Sequence, residues 1–145
     1  ANYSILEKSN APIVVWPETF EDAELSQSLA TVCWIVDALL GTGAKGSPRP
    51  PVDRIIRLIN EIKVSQHARI MAIDLPSGLD CETGEASPTT IHADATCTFV
   101  SAKTGFQNLE AAPYLGNLHI LDIGAPRKVV EDVLQKRTSL GSLGE

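Results

Sequence analysis

The strongest constraint on the fold is a strand–loop–helix–strand pattern in the middle of the chain. Short apolar, β-branched runs at residues 31–37 and 70–73 predict two strands buried on both faces. Between them, residues 52–63 carry apolar side chains at three- and four-residue steps, which is typical of an amphipathic helix packed on a sheet. A crossover of this kind joins two parallel strands and is right-handed in nearly every case. The sequence therefore predicts an α/β fold with a mostly parallel sheet.

Each of these two predicted strands leads into an aspartate. Asp37 closes the first strand, and Asp74 follows the second, where Pro76 and Gly78 prevent the strand from continuing. The carboxyl ends of parallel strands form the ligand crevice of such sheets. If the strands are neighbours they lie about 4.8 Å apart, and two carboxylates that close need a cation or a shared proton between them. The alternative for Asp74 is that its carboxylate caps its own turn.

A glycine-rich loop follows Asp37. Gly41, Gly43 and Gly46 let the backbone approach a ligand closely, and the backbone amides of such a loop can cradle an anion. The spacing is not the G-x-G-x-x-G dinucleotide fingerprint, because a proline-rich run rather than a helix follows it. From the loop alone, a plain surface loop is an equally good interpretation.

The rest of the chain reads as further short elements. Strands are predicted at residues 11–16, 93–100 and 118–123, and helices at residues 21–30 and 127–137. We expect residues 1–10 to be ragged and residues 138–145 to form a mobile tail. The chain of 145 residues thus fits a single domain over residues 1–137.

Composition excludes several classes of function. The net charge is −6 and no basic cluster is present, so nothing favours a nucleic-acid partner. No apolar run approaches the roughly 20 residues that span a bilayer. Cys33, Cys81 and Cys97 show no metal or disulfide framework, which favours a reducing, cytoplasmic compartment, and we expect Cys33 and Cys97 to be buried thiols. The three histidines lie far apart, which argues against a zinc site.

A series of short motifs, taken in order and spacing, is more specific than any one of them. They are Asp37-Ala-Leu-Leu-Gly-Thr-Gly43 with Lys45-Gly46, Ala72-Ile-Asp-Leu-Pro-Ser-Gly-Leu-Asp80, Thr83-Gly84, Ala93-Asp-Ala-Thr96, Phe99, Lys103 and Asp122-Ile-Gly124. Together they resemble the YjeF N-terminal domain, the family of NAD(P)H-hydrate epimerases. The resemblance implies a three-layer αβα Rossmann-like domain, epimerisation of the R and S hydrates of NADH and NADPH (NADHX and NADPHX), and a bound potassium ion.

The resemblance also implies roles for individual residues. Asp37 and Ser77 match the family's potassium ligands, and Asp74 matches an acid that contacts the substrate. The loop that contacts the hydrate corresponds to Gly41, Thr42, Gly43, Ala44, Lys45, Gly46 and Ser47. Asp74 is our candidate for the acid/base group. Lys103 is interpreted as structural or as a charge at the edge of the site. A potassium ion would relieve the repulsion that the strand geometry predicts between the two aspartates.

One departure from the family pattern bears on activity. The family carries an upstream strand followed by an Asn-Asn-Gly-Gly-Asp-Gly loop, which supplies another potassium ligand and binds phosphates; this chain has no such loop. We therefore expect the C-terminal part of the domain, without its N-terminal strands and with an unpaired sheet edge. Domains of this size often dimerise, so a homodimer is expected. The alternative function is a non-catalytic nucleotide-binding domain or a scaffold in RNA metabolism, although the acidic balance argues against contact with RNA.

Overall fold

A parallel four-stranded sheet organises the protein. The computed structural model describes residues 2–17 and 19–133. The strands lie side by side in chain order, and all neighbouring pairs are parallel: β1 Trp34–Asp37, β2 Arg69–Ile73, β3 Ala95–Phe99 and β4 Asn117–Leu121. The α-helices are α1 Asn2–Lys8, α2 Asp22–Ser28, α3 Val52–Gln66, α4 Ala112–Leu115 and α5 at residues 127–133, with 3-10 turns at Thr104–Gln107 and Leu109–Ala111. The predicted α/β class and parallel sheet are confirmed.

Helix α3 covers one face of the sheet. Its apolar stripe buries Ile56, Ile59 and Ile62 against Ile35 of β1 and Ile70 of β2. Asp53 lies in the first turn, where a negative charge opposes the helix dipole. The helix ends at His67, whose backbone is left-handed. The chain can therefore turn directly into β2, as the spacing of the apolar residues predicts.

The opposite face of the sheet is much less covered by the described residues. The strand register puts Ile35, Ile70 and the buried Thr96 on the α3 face. On the other face Trp34 is 45% exposed and Val36 is 59% exposed. Strand β1 is therefore an edge strand with one buried face, whereas the sequence pattern predicted a strand buried on both faces.

Several local predictions were wrong. Residues 11–16 form no strand, and Val14 and Val15 are exposed, because β-branched residues form a strand only where a partner strand pairs with them. Residues 2–8 form helix α1 rather than a ragged start. Cys33 is exposed beside the edge strand, and Cys97 is only half-buried because it faces away from α3.

The remaining elements agree with their predictions within a few residues. The helix expected at residues 21–30 is α2, and the strands expected at 93–100 and 118–123 are β3 and β4. Helix α5 covers the first part of the helix expected at 127–137. Residues 134–137 and the expected tail at 138–145 lie outside the described residues. No helix in the described part of the chain has the length and apolar character needed to cross a membrane.

An ion pair ties the amino edge of the sheet to α3. Just before β3, Asp94 Oδ2 accepts a hydrogen bond of 2.7 Å from the Ile70 N–H, and Oδ1 lies 3.0 Å from Lys63 Nζ. Burial alone raises the pKa of Asp94, but the Ile70 N–H and the Lys63 ammonium together hold the pKa below its ordinary value of 3.8. The ionised form of Asp94 is therefore more favourable in the folded state than in the unfolded state.

The depressed pKa of Asp94 predicts a loss of stability in acid. Its contribution to the free energy of unfolding is fully present above about pH 4 and is lost as the pH falls through the lowered pKa. Asp94→Asn keeps an oxygen acceptor for the Ile70 N–H but removes the charge. We therefore expect the variant to be less stable than the wild type at pH 7 and closer to it at pH 3, as measured by urea unfolding at both values. A difference that stays constant with pH would contradict this assignment.

Candidate functional site at the carboxyl edge of the sheet

The two aspartates singled out by the sequence lie on the same edge of the sheet. Strands β1 and β2 are parallel neighbours, so Asp37 and Asp74 both stand where a strand ends. Asp37 pairs in register with Ala72, and Asp74 therefore lies two residues further along. The predicted placement of the two residues at one edge is confirmed, but each carboxylate has its own set of partners.

The carboxylate of Asp37 is buried in a network with Ser77. Oδ1 accepts a hydrogen bond of 2.7 Å from the Ser77 hydroxyl and one of 3.2 Å from the Leu39 N–H, while Oδ2 accepts one of 2.8 Å from the Ser77 N–H. The Ser77 hydroxyl oxygen also accepts a hydrogen bond of 3.0 Å from the Leu40 N–H. Both Asp37 and Ser77 are only 1% exposed. The network joins the end of β1 to the turn that follows β2.

No described basic side chain pairs with the buried charge of Asp37. The ion pairs in the described part of the chain involve other acids. Within the same residues, no group of three or more His, Cys, Asp or Glu side chains is placed to hold a metal. The buried Asp37 carboxylate, at the end of the outermost strand, is therefore stabilised among the described residues only by N–H and O–H donors.

Asp74 takes its partners from β3 and from the loop after it. Its Oδ1 accepts a hydrogen bond of 3.2 Å from the Thr98 hydroxyl and lies 2.6 Å from Lys103 Nζ. Its backbone is left-handed, with φ of 71°, and its N–H donates to the Cys97 carbonyl. The carboxylate therefore does not cap its own turn, and the cation beside it is the ammonium of Lys103.

A cavity of about 330 Å³ opens beside these residues, between the glycine-rich loop and the chain after β2. Of the predicted site residues, those that line it are Gly41, Ala44, Gly46, Ser47 and Ser77. Thr42, Gly43, Lys45, Asp37 and Asp74 do not line it. The predicted loop and the Ser77 turn thus line the same cavity. Leu75 also lines it and directly follows Asp74 in the chain.

The tip of the glycine-rich loop contacts a neighbouring turn. Lys45 Nζ lies 3.4 Å from Glu82 Oε1, with both side chains about 70% exposed, and the Cys81 thiol approaches the Thr42 carbonyl at 3.7 Å. An ion pair this exposed contributes at most about 1 kcal/mol. The loop is therefore held only weakly over the cavity, which suits a segment that contacts a ligand.

The acids that line the cavity are Asp80 and Glu85, and the turn after Asp80 fixes the charge of the first of them. Hydrogen bonds from the Thr83 and Glu82 N–H groups lower the pKa of Asp80 below its ordinary value of 3.8. Asp80 therefore stays ionised near neutral pH at the mouth of the cavity, and it can accept hydrogen bonds from hydroxyl groups.

The sequence pattern did not indicate Thr98 and left Lys103 as a structural residue or a charge at the edge of the site. In the structure Thr98 is fully buried near the end of β3, and Lys103 is the cation beside Asp74. The available signal was their position: Thr98 lies in the last part of the predicted strand 93–100, and Lys103 follows that strand. Because ligands bind at the carboxyl ends of parallel strands, uncharged polar and basic residues near those ends are candidate site residues as well as acids.

The comparisons with known proteins agree with this geometry. Residues 1–105 match the family model described as YjeF-related protein N-terminus. The chain belongs to this family. As a YjeF-related chain it also shares its fold with the crystal structure of yeast YNL200c, at a TM-score of 0.59 and 21% identity, over 72% of this chain and 42% of the yeast chain.

Curated relatives of this YjeF-related chain carry names that state an activity. An NAD(P)H-hydrate epimerase of Pirellula staleyi is 38% identical over 132 residues, which are 91% of this chain and 56% of the relative. A bifunctional NAD(P)H-hydrate repair enzyme Nnr of Escherichia coli is 37% identical over 79% of this chain and 19% of its own length. The matched part of this chain thus spans about half the length of the Pirellula staleyi protein and 19% of the Escherichia coli protein.

The Asp37–Ser77 network predicts a measurable cost for losing one hydroxyl. Ser77→Ala removes the hydroxyl bond to Oδ1 of Asp37, which then keeps only the longer bond from the Leu39 N–H, and it leaves the Leu40 N–H without a partner. We therefore expect the free energy of unfolding to fall by about 1–3 kcal/mol. Ser65→Ala is the matched control, because its hydroxyl bonds the Glu61 carbonyl on the exposed surface of α3. That change should stay within about 0.5 kcal/mol of the wild type. Equal effects of the two substitutions in urea unfolding would contradict the buried network.

Proposed function

We propose that this protein interconverts the R and S hydrates of NADH and NADPH. The observation that carries the proposal is the 38% identity to the NAD(P)H-hydrate epimerase of Pirellula staleyi over 91% of this chain. The carboxyl-edge geometry supports it, because the glycine-rich loop and the Ser77 turn line a cavity there, and Asp74 directly precedes the cavity-lining Leu75. The substrates are therefore NADHX and NADPHX, and the reaction is an isomerisation.

The glycine-rich loop is proposed to contact the hydrate. Gly41, Gly43 and Gly46 have open space where a side chain would project, so a ligand can approach the backbone closely. Four of the seven loop residues already line the cavity. Thr42, Gly43 and Lys45 would have to turn inward, which the weak contact between Lys45 and Glu82 permits.

Asp74 is proposed to carry the proton in the reaction. To invert the hydrated carbon, its hydroxyl group must leave as water after taking up a proton, and water must then add to the other face while giving a proton up. One carboxyl group near the hydroxyl can donate in the first step and accept in the second. No hydrogen bond from the described residues reaches Oδ2 of Asp74, which leaves that oxygen for this exchange.

The residues present also fit a potassium ion. Asp37 is a buried carboxylate without a basic partner among the described side chains, and the Ser77 hydroxyl lies 2.7 Å from it. Asp37 and Ser77 would hold the ion through oxygen atoms, which are the ligands that potassium prefers. When bound, the ion would supply positive charge beside the substrate. Its remaining ligands would have to be other oxygens.

Three further features stay predictions. A homodimer is one, and a single domain over residues 1–137 is another. The third is a cytoplasmic location, which the three free cysteines favour.

Asp74→Asn tests the assigned reaction. The amide keeps the shape of the side chain but exchanges no proton, so we expect epimerisation of R-NADHX to fall at least about 100-fold, as followed by chromatographic separation of the two epimers. Asp94→Asn is the control, since that acid also pairs with a lysine but lies at the amino edge. An active Asp74→Asn protein would remove the acid/base role. A wild type without epimerisation would remove the proposed function.

The potassium proposal has a readout that does not depend on turnover. Thermal unfolding in potassium chloride and in tetramethylammonium chloride, at equal ionic strength, should show a higher Tm in potassium, because an ion that binds only the folded state stabilises it. Asp37→Asn removes the buried charge, and its Tm should be the same in both salts. A potassium effect that survives in Asp37→Asn would rule out Asp37 as a ligand.

A further inference from the structure

The end of β3 contains an unusual turn. Val100 has a left-handed backbone with φ of 68°, a conformation that β-branched residues very rarely adopt. The Ser101 N–H donates to the Phe99 carbonyl at 2.8 Å across this residue, which closes a tight three-residue turn. The Val100 N–H still donates to the Leu121 carbonyl of β4. The chain therefore turns sharply as soon as the strand ends.

The turn decides where Lys103 lies. Three residues after Val100, the Lys103 side chain meets Asp74 at the end of the neighbouring strand, with 2.6 Å between Nζ and Oδ1. Both side chains are only about one-fifth exposed, so solvent screens the pair much less than a surface pair. Asp74 is itself left-handed, so two adjacent strand ends both hold strained backbone at this contact.

The hydrogen-bond and ion-pair partners of Asp74 distinguish between its two carboxylate oxygens. The Thr98 hydroxyl and the Lys103 ammonium both contact Oδ1, while no hydrogen bond from the described residues reaches Oδ2. Thr98 is fully buried and cannot move away without loss of packing. One oxygen is thus fixed by the protein, and the orientation of the other follows from it.

We propose that Lys103 is a positioning residue: its ammonium, placed by the turn at Val100, fixes Oδ1 of Asp74 and so orients Oδ2 toward the reacting hydroxyl. The inference rests on the proposed epimerisation for its kinetic consequence but not for its structural one. A misplacement of a catalytic group by about 1 Å can cost on the order of 100-fold in rate. Loss of the ammonium is therefore expected to act on kcat more than on KM.

The chain offers a matched control pair. Lys63 and Asp94 form a Lys–Asp contact of 3.0 Å with side chains 25% and 35% exposed, at the opposite edge of the sheet. Lys63→Met and Lys103→Met remove one ammonium each and keep a similar apolar stem. A purely structural role for Lys103 predicts that the two variants behave alike. A positioning role predicts that only Lys103→Met slows the reaction.

The kinetic test measures kcat and KM for R-NADHX epimerisation by both variants and the wild type. We expect Lys103→Met to lower kcat by roughly 10- to 100-fold with KM changed by less than about threefold. Lys63→Met should keep the wild-type kcat and lose only thermal stability. Lys103→Arg, which restores the charge, should recover part of kcat. A wild-type kcat in Lys103→Met would overturn the proposal while leaving the epimerase assignment intact.

Crystal structures of the wild type and Lys103→Met give a readout without turnover. The proposal expects the Asp74 carboxylate to adopt a different or mixed orientation in the variant, with Thr98 unmoved. An inactive wild type combined with this change would sink the proposed function but not the positioning role. An unchanged Asp74 carboxylate would sink the positioning role. If Lys103→Met fails to fold, Lys103→Gln, which keeps an N–H donor without the charge, carries the same two measurements.

Discussion

The buried hydrogen bonds between Asp37 and Ser77 are the constraint on which the site depends. They join the end of β1 to the turn after β2, two segments that are distant in sequence. Because Ser77 also accepts from the Leu40 N–H, the same contact fixes the start of the glycine-rich loop. Burial of an acid this deep is unfavourable unless hydrogen-bond donors compensate for the lost water, so each donor contributes to the stability of the site. The shape of the cavity therefore depends on the contacts that join the glycine-rich loop and the Ser77 turn to Asp37.

The two aspartates have different surroundings, and this difference suggests different roles. Asp37 is enclosed by backbone and hydroxyl donors, which suits a fixed charge that attracts a cation. Asp74 is partly exposed and has one oxygen that accepts no hydrogen bond from the described residues, which suits a group that exchanges a proton. The sequence pattern predicted the two acids at one edge with a cation or a shared proton between them, and the family resemblance implied that a potassium ion fills this role. The structure instead gives Asp74 its own ammonium.

How far the sequence could predict this structure depends on how local each signal is. The helix at residues 52–63 was predictable because its apolar spacing is a local property, and the parallel direction of β1 and β2 followed from the crossover between them. The strand predicted at residues 11–16 does not form, because a strand needs a neighbouring strand to pair with and the local propensity of a segment does not indicate whether one is present. The Lys103–Asp74 contact could not be predicted from the spacing of the residues, because it depends on the left-handed turn at Val100. Valine rarely adopts this conformation, so the sequence does not indicate a turn there. Which loop residues face the cavity was likewise a property of the folded loop, not of its composition.

The described part of the sheet carries two Lys–Asp pairs, one at each end of its strands, and the Lys103–Asp74 pair lies at the carboxyl edge, where the cavity-lining Leu75 directly follows Asp74. The Lys63–Asp94 pair fastens α3 to the start of β3, far from the glycine-rich loop. Substitutions near Lys63 can therefore change the stability of the protein in heat or acid while the contacts at the carboxyl edge stay in place. Natural variation and protein engineering thus have one edge of the sheet on which to adjust stability without altering the candidate site at the other edge.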